Sequence, residues 1–225
     1  MVAKNIHILE ERISSACLSA KRNRNEVKLI AVSKTYPVSE IENAFKFGLV
    51  DFGENRAQEL NQKSELFDGA VNWHFIGHLQ TNKVKYVIKP AEYIHSVESK
   101  KLADEINLQA EKIGKIQKIL LEFNASDEES KYGLKNEYDL FELAEYCKGK
   151  SNIKLAGLMT MAPFTDDQKI IRQTFSKVRE LKEKMNNEGF ELNELSMGMT
   201  NDFEIAIEEG STMLRIGTAI FGDRG

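Results

Sequence analysis

The sequence predicts an α/β fold, a single (β/α)₈ TIM barrel with an extra N-terminal helix. Three observations lead there. Eight short apolar runs of strand length occur along the chain, and a stretch of helical periodicity separates each from the next. Strands this apolar, each followed by a helix, require parallel crossovers and a sheet covered on its outside. Eight such units suit a closed barrel better than an open, doubly wound sheet.

The elements follow in order. Residues 4–22 carry apolar side chains at Ile6, Leu9, Ile13, Ala16, Cys17 and Ala20, the stripe of an amphipathic helix. Residues 27–32 form the first strand. A helix over 38–47 follows, capped by Gly48. The remaining strands fall at 50–52, 73–76, 93–95, 116–123, 153–158, 194–197 and 213–216, with helices at 55–66, 80–88, 99–113, 137–148, 166–187 and 201–208. The chain opens on a helix and ends just past its eighth strand, so the first helix is expected to shield the seam where a last long helix would otherwise lie. No linker, low-complexity tract or shift of composition interrupts the 225 residues, which read as one domain, 1–225.

Composition narrows the function classes. The 31 Lys and Arg against 35 Asp and Glu leave a net charge of −4, with the basic residues scattered, so no footprint for nucleic acid is present. No apolar run reaches the roughly 18 residues of a membrane span. Lys4, Glu10, Glu11 and Arg12 interrupt the place where a signal peptide needs an apolar core. Cys17 and Cys147 stand far apart, which disfavours a disulfide framework or a structural zinc site. A soluble cytoplasmic protein is expected.

In such barrels the chemistry gathers where strands end. Ser33-Lys34-Thr35 follows the first strand, Gly53-Glu54-Asn55-Arg56 the second, Ser196-Met197-Gly198-Met199-Thr200 the seventh and Gly217-Thr218 the eighth. Lys34 closes a buried run, where desolvation would favour the neutral amine that attacks an aldehyde; the plainer reading is an exposed lysine at a strand end. The turns after strands seven and eight carry glycines and hydroxyls at the place where barrels bind phosphate. They also read as ordinary turns, with Thr200 or Asn201 capping the next helix. His74 and His78 lack the glutamate of the HExxH zinc motif, and no metal site is expected. Neither GxGxxG, GxxxxGK[ST] nor GxSxG occurs. Met159, Met161, Met197 and Met199 read as packing at the barrel top, and 127–131 as a solvated loop.

A lysine after strand one together with a phosphate cup after strands seven and eight points to pyridoxal 5′-phosphate (PLP). The stretches LIAVSKTYP, DFGENRAQE, WHFIGHLQTNK, HSVES, GLMTMAP, LSMGMTNDFEIAI and EEGSTMLRIGTAIFG, spread over residues 29–222, resemble the pyridoxal phosphate homeostasis protein family, also called YggS-like or proline synthase co-transcribed homologues. The resemblance implies a fold type III PLP barrel, like that of alanine racemase, without the second β-domain. It further implies a Schiff base on Lys34, a phosphate held by Ser196, Gly217, Thr218 and amides of the SMGMT turn, Arg215 facing the pyridine nitrogen, and Asn55 near the ring. Tyr36 stands where many bacterial relatives have a second lysine, and SMGMT stands for the common SMGMS. Lys131 matches a family lysine near the site.

By the same likeness the protein stores or delivers PLP and is not an enzyme. A cation beside the ring nitrogen opposes its protonation and weakens the electron sink, and the second domain that supplies racemases with an opposed base is missing. PLP is the expected ligand, apo-enzymes are transient partners, and a monomer is expected. The alternatives are a minimal PLP-dependent racemase or decarboxylase, and a Schiff-base aldolase acting on a phosphorylated sugar.

Overall fold

Successive side chains of a strand face opposite ways, which in a closed barrel means the interior and the helical shell. A computed structural model of the chain, describing residues 1–126, 128 and 132–222, has this arrangement. Eight parallel strands follow one another in sequence order: β1 (Lys28–Val32), β2 (Asp51–Glu54), β3 (Asn72–Phe75), β4 (Ala91–Val97), β5 (Gln117–Glu122), β6 (Ile153–Met159), β7 (Glu194–Ser196) and β8 (Met213–Ile216). β8 closes on β1 with Lys28 opposite Met213 and Ala31 opposite Ile216. The predicted closed eight-stranded barrel is the observed one.

Alternation divides the core. Leu29 and Ala31 of β1, Phe52 of β2, Trp73 and Phe75 of β3, and Leu214 and Ile216 of β8 pack into the main cluster between barrel and helices. Ile30, Tyr93, Leu120, Ala156, Met159 and Met213 form a separate cluster inside the barrel. The shell consists of α1 (Val2–Ser19), α2 (Val38–Lys46), α3 (Ala57–Leu66), α4 (Val84–Val87), α5 (Lys100–Lys112), α6 (Glu137–Lys148), α7 (Gln168–Asn187), α8 (Phe203–Glu208) and α9 (Thr218–Phe221). Side chains of Ser99, Asn136 and Asp167 cap the N-termini of α5, α6 and α7.

α1 covers the seam as the sequence suggests. Its buried face, Val2, Ile6, Leu9, Ile13, Ala16 and Cys17, packs toward α2, α8 and α9. Asn5 Nδ2 donates to Ile220 O (3.0 Å), and Arg22 Nη1 to Ile207 O and Ser211 O (both 2.8 Å).

Several details depart from the sequence reading; β2 spans Asp51–Glu54 rather than 50–52, and the helix expected over 80–88 is reduced to α4 after a single tight turn. α9 follows β8, too short at four residues to show a helical period. β4 runs from Ala91 to Val97 rather than 93–95, because Glu92 pairs with Lys118 across the ladder and Ser96 Oγ donates to Gly77 O. Met199 is exposed, whereas Met159 and Met197 are buried as packing residues. The stretch 127–131 lies outside the described residues except for Glu128, and Lys131 with it.

Candidate functional site

The six predicted cofactor-binding residues fall at the C-terminal mouth of the barrel. Lys34 lies in the turn after β1, Asn55 directly after β2, Ser196 at the end of β7, Arg215 within β8, and Gly217 with Thr218 immediately beyond it. Strands β7, β8 and β1 are consecutive neighbours, so the lysine turn, the buried arginine and both glycine-bearing turns share one sector. Asn55 lies one strand further round, and its Oδ1 is buried without a hydrogen-bond partner among the described residues.

Arg215 is buried (5% exposed) and fixed by two bonds: Nη1 donates to Ser196 Oγ (2.5 Å) and Nη2 to Thr160 O (2.8 Å). Its Nε makes no hydrogen bond among the described residues. Burial lowers its pKa to about 10, while the Asp202 and Glu122 carboxylates counter that effect, so it stays a cation at neutral pH.

Ser196 begins a chain through the interior that the sequence did not reveal. His95 Nδ1 lies 2.9 Å from Ser196 Oγ, His95 Nε2 lies 3.0 Å from His74 Nδ1, and His74 Nε2 lies 3.0 Å from Asp51 Oδ1. Burial lowers the pKa of both histidines, so both are neutral. Burial raises Asp51, but hydrogen bonds from His74 and Asn72 and the Lys28 charge more than offset it and keep it ionised. An ionised Asp51 accepts from His74 Nε2–H. His74 Nδ1 then accepts from His95 Nε2–H, and His95 Nδ1 accepts from the Ser196 hydroxyl. Every bond therefore runs in one direction from Arg215 to Asp51. The Ser196 hydroxyl, read from sequence as a phosphate ligand, is committed to Arg215 and His95.

The two glycine-bearing turns meet at the mouth. Thr200 Oγ1 lies 3.1 Å from Thr218 Oγ1, and Arg215 N donates to Gly198 O (2.9 Å). Asp202, rather than Thr200 or Asn201, is the N-cap residue of α8, and its Oδ1 accepts from Met199 N (2.5 Å). That amide is therefore already engaged. The first amides of α9, at Thr218 and Ala219, have no partner within their own helix.

The Lys34 turn is held from both sides. Tyr36 N donates to Ser33 O (3.0 Å), closing a turn with Lys34 and Thr35 at its centre. Tyr36, in the place of the second lysine, latches the far end of the chain. Its hydroxyl donates to Gly222 O (2.7 Å) and its ring packs on Phe221 with centroids 4.8 Å apart. Glu54, Glu59 and Lys63 gather beneath this turn and were also missed.

Two further groups complete the mouth. Glu122, at the end of β5, is buried; burial and then the Glu98 charge raise its pKa to about 7, with Arg215 acting in the opposite sense. His78 pairs with Glu98 (3.2 Å) and stacks on Tyr132, far from the Asp51 partner of His74. Among the described residues no three or more His, Cys, Asp or Glu side chains gather to hold a metal, and no helix is long and apolar enough to cross a membrane.

Comparison with known proteins agrees with this geometry. The family model described as alanine racemase, N-terminal domain, matches residues 9–225. A pyridoxal phosphate homeostasis protein of Aquifex aeolicus is 47% identical over 216 residues, 95% of this chain and 94% of its own. Among solved structures, a protein of unknown function from Bifidobacterium adolescentis superposes with a TM-score of 0.91 at 36% identity, covering 98% of this chain and 94% of that one. The PipY protein of Synechococcus elongatus, solved with PLP bound, superposes with a TM-score of 0.85 at 30% identity, covering 99% of this chain and 100% of that one.

Proposed function

The chain belongs to the pyridoxal phosphate homeostasis protein family, built on the alanine racemase N-terminal barrel, and from that premise we propose that it binds PLP as a Schiff base on Lys34 and serves to store and deliver the cofactor. The observation that carries the reading is the convergence of a lysine turn, a buried cation and two donor-rich turns on the adjacent strands β1, β8 and β7.

The residues present suit such a ligand. The Thr200 and Thr218 hydroxyls and the first amides of α9, which have no partner within their own helix, suit a phosphate. Arg215, with Nε uncommitted, suits the pyridine nitrogen. Asn55 Oδ1, buried and unpartnered, suits a donor on the ring's periphery. Ser196 joins the set by holding Arg215 and His95 through its hydroxyl. When bound, PLP supplies an aldehyde that condenses with an amine and a ring that withdraws electrons once its nitrogen is protonated. A permanently charged Arg215 opposes that protonation, which suits holding the cofactor better than turning over amino acids.

The relatives are named for homeostasis rather than for a reaction. Residues 1–225 are taken as one binding domain, working as a monomer in the cytoplasm and meeting PLP-dependent apo-enzymes in transient contacts. Borohydride reduction of the PLP-loaded protein, followed by peptide mass mapping, tests the assignment. Pyridoxyl mass is expected on the peptide containing Lys34, and Lys34→Ala abolishes the long-wavelength imine band. Label on another lysine, with the band intact in Lys34→Ala, overturns it.

A further inference from the structure

Thr35 has φ +69°, the left-handed region that a β-branched residue avoids. A turn of this kind normally places glycine there, so the conformation persists only where the surroundings impose it. Both sides of Lys34 show what imposes it. Thr35 N donates to Glu59 Oε1 (2.6 Å), and on the other side Ser33 O accepts from Lys63 Nζ (2.8 Å) while Ser33 Oγ donates to Glu54 Oε1 (2.7 Å).

These contacts form one unit. The Lys63 ammonium uses its three protons on three acceptors, Ser33 O, Glu54 Oε1 and Glu59 Oε1, at 2.7–2.8 Å. Lys63 is buried, Glu54 is fully buried at the end of β2, and Glu59 is one turn before Lys63 on α3. A saturated buried ammonium bridging two carboxylates and a backbone carbonyl is a fixed object, unlike a surface ion pair. None of the three touches the sector of Arg215, Thr200 and Thr218.

We propose that Glu54, Glu59 and Lys63 are the positioning residues of Lys34: they hold the turn so that the lysine amine is presented for Schiff-base formation, independently of how phosphate and ring are bound. The inference rests on the function proposed above. It adds to that reading a set of residues that govern the covalent step, the condensation of the amine with the aldehyde carbon and loss of water, and that stand apart from Arg215 and the phosphate-side hydroxyls of Thr200 and Thr218. Glu59 is the residue to perturb. It sits at the edge of the cluster, and its removal leaves Lys63 paired with Glu54, so the fold is retained.

The test compares wild type, Glu59→Ala and Glu59→Gln with two ligands. PLP reports binding plus covalent capture, and pyridoxine 5′-phosphate, which has an alcohol in place of the aldehyde, reports phosphate and ring binding alone. Glu59→Ala is expected to slow growth of the imine band at least tenfold while keeping pyridoxine 5′-phosphate affinity within twofold. Glu59→Gln, whose amide oxygen still accepts from Thr35 N, is expected to restore most of the rate. Amide hydrogen exchange in the unliganded protein supplies a readout free of cofactor: the peptide containing residues 33–36 should exchange at least tenfold faster in Glu59→Ala and near the wild-type rate in Glu59→Gln.

Equal loss of affinity for both ligands overturns the proposal, because the residue is then a general support of the site. Faster exchange without a slower imine step overturns it too, as does unchanged exchange. Should wild-type protein form no imine at Lys34, the functional reading fails first, and the exchange arm alone still shows whether Glu59 holds the turn.

Discussion

Replacing Glu122 by glutamine should stabilise this protein in a pH-dependent way. The carboxyl is buried, and burial together with the Glu98 charge raises its pKa from 4.5 to about 7. In the unfolded chain the group keeps its ordinary value. Below about pH 4.5 it is protonated in both states and contributes no difference. As pH rises from there toward 7, the unfolded chain ionises first and the folded protein loses stability relative to it. Above 7 both states are ionised and the penalty is constant, about 3 kcal/mol for a shift of this size at about 1.4 kcal/mol per pH unit. Glu122→Gln removes that penalty and keeps the shape. The variant should match wild type near pH 4, exceed it by about 1 kcal/mol at pH 5 and by about 3 kcal/mol at pH 8. Urea unfolding without added PLP, followed by fluorescence of the single tryptophan, Trp73, measures the difference at each pH. A difference that stays constant from pH 4 to 8, or a wild type more stable at pH 8, would refute the reasoning.

Ser196→Ala leaves Arg215 Nη1 and His95 Nδ1 without their shared partner, so folding stability should fall by about 1–3 kcal/mol, read by the same urea titration. Because that hydroxyl faces Arg215, affinities for pyridoxal and PLP should weaken in parallel; a loss confined to the phosphate ester would return Ser196 to the phosphate. Two glycines should behave oppositely. At Gly198 (φ +97°) a Cβ would lie 2.6 Å from the Ala206 Cβ, so Gly198→Ala should lower the melting temperature with or without ligand. A Cβ at Gly217 would meet nothing nearer than Val32 O at 3.4 Å, so Gly217→Val should change stability by less than about 1 kcal/mol yet weaken PLP binding at least tenfold. Finally, α-proton exchange of L-amino acids in deuterated water, with chiral analysis, should run far below the roughly 1–10³ s⁻¹ typical of enzymes. Turnover within that range would make the protein a racemase.

The barrel was legible because its signals are local. Alternating runs and helical stripes depend only on neighbours in sequence, and the closed barrel is the arrangement in which eight such units cover one another. The mouth residues were legible for the same reason: Lys34, Asn55, Arg215, Gly217 and Thr218 sit at or just beyond strand ends, where barrels place their chemistry. Boundaries blurred where polar residues occupy strands. β4 looked shorter than it is because polar Glu92 and Ser96 flank the run at 93–95, and their partners, Lys118 and the Gly77 carbonyl, come from other parts of the chain.

What stayed hidden needed three dimensions. On a helix, Glu59 and Lys63 four residues apart read as an ordinary solvent-exposed pair; only the packing of α3 over the end of β2 buries Lys63 and brings Glu54 and the Ser33 carbonyl to it. Asp51, His74, His95 and Ser196 come from four separate strands, and no spacing along the chain announces that their side chains meet inside the barrel. Sequence alone therefore determined the architecture and placed the candidate residues at strand ends, since both are written in local pattern, while the cofactor class it suggested rests on motifs shared with a family. Which hydroxyl serves Arg215, which carboxyls are desolvated and what holds the lysine turn depend on distances between strands far apart in the chain, and only closure of the barrel sets those.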